Sequence, residues 1–330
     1  MQLLVTMSVP KPGITNEDEG ERFQCGRIEL IDWEQKQCMR AIEYRSPLQH
    51  VGEGLSIRFT GGCPHRGKWY QCTATEIVVY DVKRDWAVER VLSHPAFNDV
   101  HGVAVTDQHI VVANTGLEMV QYFSHSGEIE REVNLASTPT WQRFDRNFDY
   151  RRIGTTKPHE THVNHAFRLD GQWWATRCVQ KDAIRLEDPR DRIEIGVGNP
   201  HDGIVRDGLL YFTTTNAHLV IVNPKTRKTE EVIDINRLNP EGGAVAWCRG
   251  LEVVDGYAYV GFTRLRRSNW VGMLDTIKDL ARGRKRSSHI EKIDLKRKLL
   301  VDSYEYERAE SSAIFCIFAM DRVTGALPHE

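Results

Sequence analysis

Apolar and polar positions alternate with a period of two over most of this chain, and turn residues break the alternation every few positions. "HGVAVTDQHIVVANTG" from 101, "HDGIVRDGLLYFTTTN" from 201 and "RGLEVVDGYAYVGFTR" from 249 follow one scheme. Each has a leading polar residue, a short apolar strand, an Asp-Gly or Asp-Gln turn, and a second strand rich in β-branched and aromatic residues. "ETHVNHAFRLDGQWWATR" (160–177) fits the scheme when its Asp170-Gly171 turn is aligned with the others, which makes Asn164 its leading residue. A further copy, "EGLSIRFTGG" from 53, carries a longer first turn. Behind the pairs come "EIVVYDVKRDWAVERVL" (76–92), "HLVIVNPKTRKTEEVIDI" (218–235) and "HIEKIDLKRKLLVDSYEY" (289–306), each a strand, a turn and a strand.

Four-stranded antiparallel units repeating at this spacing predict a β-propeller. Five units run over 53–92, 101–135, 162–197, 201–235 and 249–306. "QLLVTMSV", "GRIELIDWEQKQ" and "CMRAIEY" within 1–50 supply three strands without a first, and "SSAIFCIFAM" (311–320) is a strand without a blade. Joining them gives an all-β, six-bladed propeller in a single domain over 1–330, closed by a C-terminal strand that completes the N-terminal blade and protects the sheet edges.

In that architecture the residues leading the first strands converge on the axis. They are Glu53, His101, Asn164, His201 and Arg249, with Ser311 or Ser312 from the closing strand; His162, two residues before Asn164, alternates to the same side. Asn164 and His165 compete for the leading place, because a slip of one residue turns a side chain away. His65, His94, His109, His125 and His289 have no converging partners. Two insertions, 136–161 and 264–288, extend from the same face. The second contains a short helix near 272–282 and a basic set of Arg264, Arg266, Arg267, Arg284, Lys285 and Arg286.

Composition narrows the partners. A formal charge of −2 offers no field for nucleic acid or anionic membrane, and no apolar run reaches the length of a membrane span. Seven scattered cysteines without a CxxC pair fit a reducing compartment, so a cytoplasmic protein acting on a small-molecule substrate is expected. Oligomeric state is open. GxSxG, P-loop and HExxH patterns do not occur.

Three chemistries suit the ring. The first is a divalent transition metal (zinc, iron, manganese or copper) held by His101, His162, His201 and Glu53, supporting hydrolysis, elimination or oxidation. In this reading His101, His201, Arg177 and Arg249 are catalytic, while Asn164, Arg264 and Arg267 bind an anionic or carbonyl-bearing substrate. The architecture resembles the gluconolactonase and paraoxonase-like propellers, whose axial cation is held by Glu, Asn and Asp. Glu53 and Asn164 fit that ring, whereas His101, His201 and Arg249 depart from it, which argues against a hard calcium site. The second is group transfer through histidine. "HVN" at 162–164 followed by "ATR" ending at Arg177 resembles part of the arylsulfotransferase pattern. That resemblance implies a transiently sulfurylated His101 or His201, with His162, Asn164 and Arg177 holding the anionic oxygens. The third is a non-catalytic, protein-binding propeller that uses the insertions.

Overall fold

A computed structural model describes residues 1–12, 21–238, 247–263, 287–306 and 313–326. They form six four-stranded antiparallel sheets arranged as a six-bladed propeller. Blade 1 is β1 (Gln2–Pro10), β2 (Phe23–Asp32) and β3 (Gln37–Tyr44), completed on the inside by β24 (Ala313–Ala319). Blades 2 to 6 follow in chain order. Their inner strands are β4 (Gly62–His65), β8 (Val100–Val105), β12 (Val163–Leu169), β16 (Ile204–Arg206) and β20 (Trp247–Val254). The C-terminal strand therefore closes the ring, with Leu3 opposite Ala319 and Val5 opposite Ile317.

Local chemistry explains the hairpins. Arg66-Gly67, Asp170-Gly171, Asp207-Gly208 and Asp255-Gly256 all have positive φ at both positions, the two-residue turn whose twist matches that of the flanking strands. Several outer turns are closed by a side chain instead. Asp32, Asp81 and Asn223 each accept from the two backbone N–H groups that lie two and three residues on.

The core lies between blades. One apolar cluster joins blades 2 and 3 through Tyr70, Ile77, Phe97 and Phe123, and comparable clusters join the other neighbours round to the seam, where Leu3, Trp33, Tyr259 and Ile317 meet. Fully buried Trp33, Trp69 and Trp174 sit in these interfaces. Each buried aromatic contributes on the order of 2–3 kcal/mol, so closing the ring stabilises both of the blades it joins.

Blade 2 differs from the sequence expectation. Its inner strand begins at Gly62 and turns at Arg66-Gly67. Residues 53–61 are an irregular approach bound to blade 1: Phe23 N donates to Ser56 Oγ, Ser8 Oγ to Phe59 O and Thr6 Oγ1 to Thr60 O. The apolar alternation of "LSIRFT" reports burial against blade 1 rather than a strand of blade 2.

The 136–161 insertion carries α1 (Thr140–Arg143) and a 3-10 turn (Tyr150–Arg152). Buried Glu118 accepts from Thr161 N, Thr161 Oγ1 and Arg143 Nη1, while Asn98 Nδ2 donates to Tyr150 O and Ile153 O. The insertion is thus fixed over blades 2 and 3. The basic set at 264–267 and 284–286, the expected helix near 272–282, Ser311 and Ser312 lie outside the described residues.

Candidate functional site

One backbone device builds the axial ring. In each blade the inner strand holds one residue more than its partner at the axial end, a β-bulge, which re-aims side chains. His101 is the extra residue between the Val100–Asn114 and Gly102–Ala113 pairs, and Asn164 between Val163–Arg177 and His165–Thr176. Arg249 and Gly250 occupy the bulge of blade 6, and Phe315 that of blade 1. In blade 5 Pro200 bridges Thr214 while Ile204 pairs with Tyr211, which places the extra residue at or beside His201. In blade 2 Thr60 and Gly61 share Cys72. The ring is therefore Phe315, Gly61, His101, Asn164, His201 and Arg249. The bulge also removes the competition between Asn164 and His165, since both line the axial cavity.

That cavity holds about 690 Å³. His101, Asn164, His201 and Phe315 form its closed end, Val103, Ala166, Val205 and Leu251 are among its walls, and the turn residues Asp170, Gly171, Gly208 and Lys225 rim its mouth. The mouth thus opens on the face of the first hairpin turns, opposite the 136–161 insertion. The volume lies within the range of small-molecule sites.

The closed end is tightly bonded. His101 Nδ1 lies 2.8 Å from Asp99 O and 3.5 Å from Asp99 Oδ1, and Asp99 is paired in turn with buried Arg58. His101 stands 5.0 Å centroid to centroid from His162 and 6.1 Å from His201. His162 Nδ1 is 2.8 Å from His159 Nδ1. Asn164 Nδ2 donates to Pro200 O on the next blade, which leaves Oδ1, near the Cys178 thiol, as its remaining polar atom. Arg249 lies over the rings of Trp247 and Phe315. Asp202, also in the cavity wall, accepts from Thr213 Oγ1. Burial, then His162, Arg58, His201 and Arg249, hold the His101 imidazole well below its usual range. Burial, then His159, Lys157, His201 and Arg249, do the same for His162. Burial also takes His159 down to about 4, with Glu118 opposing, and His165 to about 4, with Asp202 opposing. These imidazoles are neutral at neutral pH.

Several expectations are corrected. Glu53 is exposed in a turn and takes no place in the ring, because blade 2 begins later. Arg177 donates through Nε and Nη2 to Asp182 within its own blade, away from the cavity lining. The predicted metal set loses Glu53, and among the described residues no three His, Cys, Asp or Glu side chains are grouped so as to hold an ion. Arg264 and Arg267 lie outside the described residues.

Sequence reasoning missed Arg58, Asp99, His159 and Asp202. Asp99 had a signal, since it precedes His101 by two residues as His162 precedes Asn164, and both share a φ of 51°. Arg58 had none once blade 2 was misregistered.

No protein-family model matches the chain, and no curated protein is similar to it. The crystal structure of a protein of unknown function from Bacteroides caccae superposes with a TM-score of 0.62 at 13% identity, over 96% of this chain and 97% of that one. A chain of a nidogen/laminin complex gives 0.55 at 11%, again over 96% and 97%. These likenesses are of fold alone. Among the described residues no helix is long and apolar enough to cross a membrane.

Proposed function

We propose that the protein takes a small molecule with an apolar body and a polar, carbonyl-bearing head into the axial cavity from the hairpin-turn face, and that His101 acts on the head as a base. The observation that carries this reading is the cavity itself. Aliphatic walls lead to a closed end where a neutral histidine, a buried amide and a second histidine meet. A neutral imidazole keeps a lone pair free to accept a proton, and nearby guanidinium charge favours a developing oxyanion.

Sulfuryl transfer is less well supported. Two of the three groups that the resemblance assigns to the anionic oxygens are engaged elsewhere, Arg177 by Asp182 and the Asn164 amide nitrogen by Pro200 O.

The test is thermal-shift screening of the full chain against hydroxy acids, keto acids, lactones, amines and aryl sulfates, with metal content measured in parallel. Val205→Trp, which fills the channel, serves as the control. Ligands that stabilise the wild type and lose at least tenfold in affinity in Val205→Trp are expected. Equal binding by both proteins would place the site elsewhere. Stoichiometric metal lost on His101→Ala would restore the metal reading.

A further inference from the structure

Hydrogen-bond direction at the closed end determines more than residue identity does. A backbone carbonyl only accepts, and so does a carboxylate. His101 Nδ1 faces both from Asp99, at 2.8 Å and 3.5 Å, so the proton of the neutral ring sits on Nδ1. The other ring nitrogen, Nε2, is then a bare lone pair on a residue that lines the cavity. A second chain of bonds sets His162 in the same way. The Thr156 hydroxyl donates its single proton to Gly116 O, so its oxygen accepts from His159 Nε2, 3.2 Å away. His159 Nδ1 is therefore unprotonated and accepts from His162 Nδ1 at 2.8 Å. His162, like His101, keeps its proton on Nδ1. At the same level the Asn164 amide turns its nitrogen to Pro200 O, with its buried oxygen by the Cys178 thiol, so His101 Nε2 is the acceptor left to the cavity.

We infer that His101 is locked as the Nδ1–H tautomer and presents an unprotonated Nε2 to the closed end of the cavity, so that the head group received there is a hydrogen donor, a hydroxyl or an N–H. Asp99 is the positioning residue for this tautomer, and Arg58 holds Asp99 in turn. A bare acceptor nitrogen at the closed end discriminates by hydrogen rather than by charge. A hydroxyl beside a carboxylate satisfies the bare nitrogen, whereas the corresponding ketone sets a lone pair against a lone pair and leaves both unpaired. The ligand class rests on the axial cavity being the binding site; the tautomer does not.

The test uses full-length protein labelled with nitrogen-15 at its histidines. Long-range proton–nitrogen correlation spectra distinguish the two neutral tautomers and the imidazolium. The His101 pattern is assigned by its loss in His101→Gln and, independently, in His101→Asn. The expected result is Nδ1–H for His101 and His162 and Nε2–H for His159, without any ligand. An Nε2–H or doubly protonated His101 at neutral pH overturns the inference. Mandelate and benzoylformate, which differ in a hydroxyl against a ketone, are then titrated in. Mandelate is expected to move the His101 Nε2 resonance and to bind at least tenfold more tightly. Benzoylformate binding equally or better overturns the ligand class while the tautomer stands. If neither binds, the ligand class falls together with the reading of the cavity, and the ligand-free spectrum still decides the tautomer on its own.

Discussion

Blades 3, 4 and 5 bring His101, Asn164 and His201 to the axis, whereas blades 1 and 2 bring Phe315 and Gly61 to the same level with the same bulge. One half of the closed end is two imidazoles and an amide, and the other is an aromatic ring beside bare backbone. The backbone device is therefore generic to the fold, and chemistry resides only in which side chain occupies the bulge. The bare half also has a task. Gly61 N donates to His101 O, and a Cβ at Gly61 would stand 2.6 Å from that same oxygen. The empty position in blade 2 is what lets the strand carrying His101 come close.

That dependence gives the largest expected effect. Gly61→Val forces backbone against backbone, where no side chain can swing aside, and a loss of about 3 kcal/mol or more is expected in urea unfolding. A variant with wild-type stability would mean that the two halves of the ring are not coupled through this contact.

A smaller effect separates the polar half by its protons. Unfolded histidine titrates near 6.5, while His101 and His162 are held well below that and His165 near about 4. Between those values the unfolded chain binds more protons than the folded one, so stability is full above about pH 6.5 and falls as pH drops towards about 4. Each histidine held neutral contributes up to about 1.4 kcal/mol per pH unit in that window. Melting temperatures measured across it should fall steeply for the wild type and less steeply for His101→Asn. Parallel curves would show that His101 is not held neutral by the fold.

The architecture was legible wherever a turn announced itself. Asp170-Gly171, Asp207-Gly208 and Asp255-Gly256 aligned three blades, and the orphan strand read at 311–320, observed at 313–319, closed the ring because the N-terminal blade was one strand short. Within the site, His101, Asn164 and His201 were readable from the aligned leading positions, and His162 from its place two residues before Asn164. Phe315 was not, because an apolar residue inside an apolar strand carries no sign of a bulge. The donor directions that set the tautomers were not readable either, since they depend on carbonyls of Asp99, Gly116 and Pro200 that no residue type reveals.

Blade 2 is where alternation misled, and it yields the smallest predicted effect. Glu53 stands between Gly52 and Gly54 in an exposed turn, while the buried part of that approach, Ser56 to Thr60, is bonded to blade 1. The error substituted an exposed carboxylate for a buried guanidinium, because Arg58, five residues on, is the side chain of this segment that reaches the site through Asp99. Glu53→Ala should therefore change unfolding free energy by no more than ~0.5 kcal/mol and leave the His101 tautomer signal unmoved. A loss of ligand binding or a shifted His101 resonance in Glu53→Ala would return this carboxylate to the axis. It would also require that the segment between Val51 and Gly61 fold back across the closed end when the site is filled.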